Sequence, residues 1–124
     1  MKKLQKLVQI IMGLIFLIFG VNGFLHFIPM PPMTGTAASF IEILLISKLL
    51  YLIKSIEILC SISLLLNRYV SFSLLLLAPI IFNIFWFHIF LEPEGAPLGI
   101  FLITMEIFLL WRNKKSYHPL FKSK

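Results

Sequence analysis

Charge is what this sequence has least of. Of its 124 residues, 13% are charged and 60% are hydrophobic, whereas a soluble domain carries about 25% charged and about 45–50% apolar residues. A water-facing surface cannot be built from the remainder, so a soluble globular domain is excluded. Cysteine is nearly absent as well. Cys60 stands alone, which excludes an intramolecular disulfide, a CxxC redox pair and a membrane enzyme of the vitamin-K-epoxide-reductase kind. The sequence holds no glycine-rich phosphate loop, HExxH run or nucleophile elbow. It has no internal repeat and no low-complexity segment. Its length suits a single domain.

What the chain has instead is long apolar runs. Four of them approach or exceed the roughly 20 residues that span a bilayer. They cover about 7–28, 49–66, 69–91 and 97–112, and the joints "NRY" and "LEPEGAP" are short. The expected fold is an all-α membrane protein, four transmembrane helices in a bundle. The opening "MKKLQKLVQIIMGLIFLIFG" begins like a secretory signal. However, no small-x-small cleavage site follows closely and the apolar run is long, so it is expected to be a retained first span.

The net charge of +6 could suggest a nucleic-acid partner, but its distribution points to membrane topology. Lys2, Lys3, Lys6, Arg68, Arg112, Lys114, Lys115, Lys122 and Lys124 all fall on one side of a four-span chain. Lys48, Glu42, Glu92 and Glu94 fall on the other. By the positive-inside rule both termini are cytoplasmic, with the basic side against anionic lipid. No nucleic-acid role is needed to account for the charge.

Between the first and second spans, "FIPMPPM" cannot continue a helix. Ser39 and Glu42 have the S-x-x-E spacing of a capping box, so a helix is expected to start near Ser39. Running it to Leu66 would make it about 42 Å long, more than the hydrocarbon core of roughly 30 Å. A short interfacial helix over 37–47 is therefore expected, followed by a bend near Ser47–Leu50; a single tilted helix is the alternative. Pro79 is expected to kink the third span and to free the carbonyl of Leu75. Residues 113–124 read as a loosely ordered basic tail.

The polar residues inside the spans are the candidate site. At the nominal rise, Asn22 lies about 22 Å, Lys54 about 18 Å, Glu57 about 14 Å, Asn83 about 20 Å and Glu106 about 16 Å from the basic side. These depths are similar, and they predict convergence in the bundle interior. Lys54 and Glu57 are i and i+3 and can pair directly. Such a pair costs about 6 kcal/mol on insertion scales, close to what the leucines and isoleucines of the second span return. The span therefore needs partners. Intramembrane ionisable residues favour a functional site, and the second carboxylate, Glu106, exceeds what one lysine neutralises. A polar knot that fixes helix register is the competing reading.

His26 and His88 lie near the outer ends of their spans. Such a pair can ligate haem iron, although interfacial histidines are more commonly satisfied by water. Phe24, Phe27, Trp86, Phe87 and Phe90 could line a slot for a flat ligand. Gly13 and Gly20, opposite Asn22 and His26, suit close approach of another helix or of a second copy of the chain. Trp111 reads as an interface anchor.

Three stretches carry a resemblance: "GLIFLIFGVNGFLHFIPMPPM" (13–33), "IKSIEILCSISLLLNR" (53–68) and "LAPIIFNIFWFHIFLEPEGAP" (77–97). Their Asn-x-x-x-His-x-x-Pro-Met-Pro-Pro, Lys-x-x-Glu and Asn-x-x-x-x-His-x-x-Leu-x-Pro-x-Gly patterns resemble the DoxX family of small four-helix bacterial membrane proteins. The resemblance implies a redox-associated membrane role beside an oxidoreductase; it leaves the cofactor open, with quinone the candidate and haem disfavoured. It supplies no catalytic residues. The leading expectation is an accessory subunit that is not catalytic alone. In that role the lysine–carboxylate–amide cluster would hydrogen-bond a quinone carbonyl and supply protons. The alternatives are a non-catalytic anchor or assembly protein and a small proton-coupled exporter. An exporter of this size would ordinarily carry a carboxylate in its first span, and here there is none.

Overall fold

The computed structural model describes residues 2–25 and 34–121. Among these, every regular element is helical. Helix α1 runs Lys2–Leu25, α2 Gly35–Ile46, α3 Leu49–Leu66, α4 Val70–Phe90, α5 Ala96–Arg112 and the single turn α6 Lys114–Tyr117; 3₁₀ turns occupy Pro93–Gly95 and His118–Phe121. Helices α1, α3 and α4, and α5 together with the 3₁₀ turn before it, are long and apolar enough to cross a membrane. The chain is thus a small all-α multi-pass membrane protein. The prolines at 29, 31 and 32 lie outside the described residues.

The four long helices form a ring. Helix α1 packs most extensively on α3 and α4 on α5, while α3–α4 and α1–α5 contacts close it. The core is built from Met12, Phe16, Cys60, Leu64, Leu74, Leu77, Ile81, Leu102, Met105 and Leu109. Outside, large apolar side chains are exposed on every long helix. On α1, Leu4, Leu7, Ile10, Leu14 and Ile18 form a stripe at helical spacing, and Phe24 and Leu25 are exposed at its end. In water such a stripe would be a liability. In lipid it is the solvent-facing surface.

The small residues of α1 turn inward to α3 of the same chain. A Cβ at Gly13 would stand 3.0 Å from Leu65, and one at Gly20 would stand 2.7 Å from Cγ1 of Ile58. The glycine face is therefore occupied by the chain's own third helix, not held open for a second copy. The seam is locked at its basic end by Gln9, which is buried. Its Nε2 donates to the carbonyl of Leu64 at 2.8 Å and to Oδ1 of Asn67 at 3.0 Å. Leu64 lies in the last turn of α3, where carbonyls lack helical partners. Nearby, Arg112 Nε donates to Gln5 Oε1 at 3.1 Å and ties α5 to α1.

Two reversals need left-handed residues without glycine. Asn67 (φ 57) and Tyr69 (φ 54) flank Arg68 and turn α3 into α4. The bonds Arg68 N–H to Ser63 O and Asn67 N–H to Leu64 O are the two of a Schellman motif. The expected break between α2 and α3 is present, and its cause is Lys48 at φ 64, with Ser47 Oγ accepting from Leu49 N–H at 3.3 Å.

Helix α4 spans Val70–Phe90 with Pro79 inside it, and because proline has no N–H the Leu75 carbonyl receives no helical bond from position 79. Two local expectations are corrected. Helix α2 begins at Gly35, and Ser39 does not cap it. Already one turn inside, the Ser39 hydroxyl donates back to the Gly35 carbonyl at 3.2 Å. Residues 114–121 are not a loose tail. They fold back under α4, where the Tyr117 hydroxyl donates to the Ser71 carbonyl at 2.7 Å. Burial pushes the Tyr117 phenol up from its ordinary range, the bond to Ser71 acts against this, and the field of Glu106 adds to it.

The α1–α3 seam makes a direct prediction. Gly20→Leu forces a side chain into Ile58, and overpacking of this kind costs about 1–3 kcal/mol. A thermal melt in mild detergent should show a clear drop in midpoint. An unchanged melt would mean that the seam can open without loss.

Candidate functional site

The buried polar residues separate into two places, not one. The first is the charged pair of α3. Lys54 Nζ lies 3.5 Å from Glu57 Oε1; the Glu57 side chain is 3% exposed and that of Lys54 21%. Glycine explains how the lysine is accommodated. A Cβ at Gly23 would fall 2.5 Å from Lys54 Cγ and 2.8 Å from its Cδ. The aliphatic stem of Lys54 thus lies across the face of α1 where Gly23 leaves room, and its ammonium returns to its own helix. Gly23 was not among the residues singled out from sequence. The signal was available: it lies three residues beyond Gly20, on the same face.

The second place is Glu106. It is 3% exposed, and both its carboxyl oxygens are buried without a hydrogen-bond partner among the described residues. Among the described residues it makes no ion pair with Lys54, whose partner is Glu57. Cys60, which interacts with Ser73, lies within electrostatic reach of Glu106. Along their helices Glu106 is about 9 Å from Arg112, and Cys60 about 9 Å from Leu66, whereas Lys54 is about 18 Å from Leu66. The carboxyl of α5 is therefore level with the thiol of α3, nearer the basic end than the ion pair.

Asn22 is buried at 5% and interacts within the protein. Asn83 does not enter the interior. It is exposed on α4, with its Nδ2 donating to the Pro79 carbonyl at 2.8 Å. His26 and Phe27 lie outside the described residues. His88 belongs to the α4–α5 turn. Its Nδ1 is 3.2 Å from Glu92 Oε2 and 3.3 Å from the Glu92 carbonyl. A Cβ at Gly95 would collide with the imidazole, and one at Gly99 would stand 3.3 Å from Phe85 Cα. The His-x-x-Leu-x-Pro-x-Gly spacing is thus met by turn geometry: histidine against Glu92, Pro93 opening the 3₁₀ turn, glycine making room for the ring.

The described candidate aromatics, Phe24, Trp86, Phe87 and Phe90, do not share a slot. Phe24, exposed, stacks on Tyr51 with ring centroids 5.5 Å apart. Trp86, Phe90 and Phe82 form an outward ladder on α4, Trp86 lying 4.5 Å from Phe90 and 6.0 Å from Phe82. Only Phe87 turns inward, between Phe40 of α2 at 5.5 Å and His88 at 5.2 Å. The placement follows from helical spacing: Phe82, Trp86 and Phe90 are successive i, i+4 positions on the lipid face, and Phe87 lies off it.

No family model, curated protein or solved structure matches this chain. What is established is the coarser description, a multi-pass all-α membrane protein, with the DoxX likeness carried by its three motifs alone.

The pair and the lone acid differ in a testable way. Removing one partner of a buried ion pair costs about 3–5 kcal/mol, whereas replacing both can be nearly neutral. Lys54→Met and Glu57→Leu should each lower the yield of folded protein, and the double variant should recover much of it. The measurement is monodisperse protein after detergent extraction. Single variants as abundant as the parent would show that the two charges do not depend on each other.

Proposed function

We propose that this chain is an integral membrane accessory subunit of a redox system, with Glu106 as its chemically active group and the Lys54–Glu57 pair as a structural lock. The observation that carries this reading is the Glu106 carboxyl, buried in the bundle with no donor on either oxygen among the described residues. Buried polar groups are almost always partnered, and an unpartnered one in hydrocarbon is expensive. Retaining it is consistent with a role that needs an open acceptor or an exchangeable proton. Lys54 and Glu57 satisfy each other, as a register-fixing pair does. Nearly all described residues lie in helices of the bundle, so the chain's chemistry is directed at molecules dissolved in, or embedded in, the membrane. The likeness of its three motifs to the DoxX family supports a quinone-linked setting, in which a carboxyl donates a hydrogen bond or a proton to a quinone oxygen.

A second reading, a non-catalytic anchor, draws support from Gln9. With Leu64 and Asn67 it forms a polar contact whose whole effect is to join two helices.

Glu106→Gln separates the two. The variant should fold as well as the parent, since no ion pair is broken. Under the redox reading, protein purified in mild detergent retains quinone in near-stoichiometric amount, and the variant loses it together with complementation of a deletion strain. Quinone retained equally by both would remove Glu106 from the site. No quinone in either, with full complementation by the variant, would establish the anchor.

The proposed orientation puts the basic end in the cytoplasm. Reporter fusions after Arg68 and after Arg112 should read cytoplasmic, and one at Gly95 external. The opposite pattern would reverse the assignment without altering the fold.

A further inference from the structure

The fold-back of residues 114–121 creates a feature that the four spans alone would not have. Between α4, the end of α5 and the returning segment lies a half-open groove of about 630 Å³. Its wall is apolar, lined by Leu75 and Ala78 of α4, Leu110 of α5 and Leu120 of the returning segment. Lys114, Lys115 and His118 line it as well. Lys114 Nζ sits 5.5 Å from the ring centroid of Trp111, which also lines the groove. The roof is held by the Tyr117–Ser71 hydrogen bond.

We propose that this groove is a binding site for one anionic phospholipid, an acyl chain lying along Leu75, Ala78 and Leu110 and the phosphate at Lys114 and Lys115. Three features of the groove select that occupant. It lies at the end of the spans and is lined by Trp111, where a headgroup lies. Its wall is apolar, which suits a hydrocarbon chain and offers a polar ring system nothing to bond. Of the cations at this end, Lys114 and Lys115 are the ones that line the groove. Neither Glu106 nor quinone enters this inference, and it does not depend on which side of the membrane the basic end faces.

The test uses brominated lipids, whose chains quench a tryptophan they touch. The sequence contains two tryptophans, so Trp86→Phe, at an exposed position on α4, leaves Trp111 as the reporter. This protein is reconstituted in vesicles of unbrominated lipid with equal fractions of dibromo-phosphatidylglycerol or dibromo-phosphatidylcholine. The anionic lipid should quench Trp111 with a preference of about fivefold per lysine. Lys114→Gln with Lys115→Gln should abolish that preference. Ala78→Phe, which keeps both lysines and fills the groove, should abolish it too. Equal quenching by the two lipids in the starting protein would overturn the site. A preference that survives Ala78→Phe would show charge attraction without a groove, and would overturn it as well. So would a free quinone that restores Trp111 emission by displacing the lipid, since the groove would then belong to another ligand.

Discussion

The close approach of α1 and α3 is the contact on which the rest of this structure depends. Membrane helices gain little from excluding lipid, because the tails are as apolar as their side chains. What brings two of them together is shape and hydrogen bonding. Gly13, Gly20 and Gly23 provide the shape, with no Cβ to hold Leu65, Ile58 and the Lys54 stem away. Gln9 provides the hydrogen bonds, reaching the carbonyl of Leu64 in the last turn of α3 and the side chain of Asn67. The seam also resolves the charge problem of α3. With the lysine stem laid across Gly23, its ammonium can fold back to Glu57, and an apolar span carries two charges without leaving either alone.

Once α1 and α3 are joined, α4 and α5 complete the ring, and α5 carries Glu106 within electrostatic reach of Cys60. The contrast between the carboxyls is chemical. Glu57 has a cation on its own helix one turn away; Glu106 has no hydrogen-bond partner among the described residues. The first arrangement stabilises a fold, and the second is the feature on which the proposed role rests.

Much of this was legible in advance. The four spans, the break before Leu49 and the Lys54–Glu57 pair follow from run length, bilayer thickness and i, i+3 spacing, all of which are local. Convergence of Asn83 and Glu106 on that pair did not follow. Depth along a helix constrains one coordinate; the angle about its axis relative to the neighbours was missing, and it sends Asn83 outward to the Pro79 carbonyl. The same gap hid Gln9, whose polar group inside an apolar run was the available signal. Helix α2 starts at Gly35 and not at Ser39 because a serine one turn inside a helix can bond backward to a carbonyl as readily as it caps.

By itself the sequence determined that this chain lives in a membrane, how many times it can cross, where its helices stop and which charges sit at which end. These depend on composition and on interactions between residues a few positions apart. Only the tertiary structure decided that the glycine face is met by the chain's own third helix, that His88 belongs to a turn, that the basic tail folds back to make a groove, and that Glu106 stands apart from Lys54. Each of these turns on the rotation of one helix against another. In lipid that rotation is set by side-chain fit at close range, and no periodicity in the sequence encodes which neighbour will supply the fit.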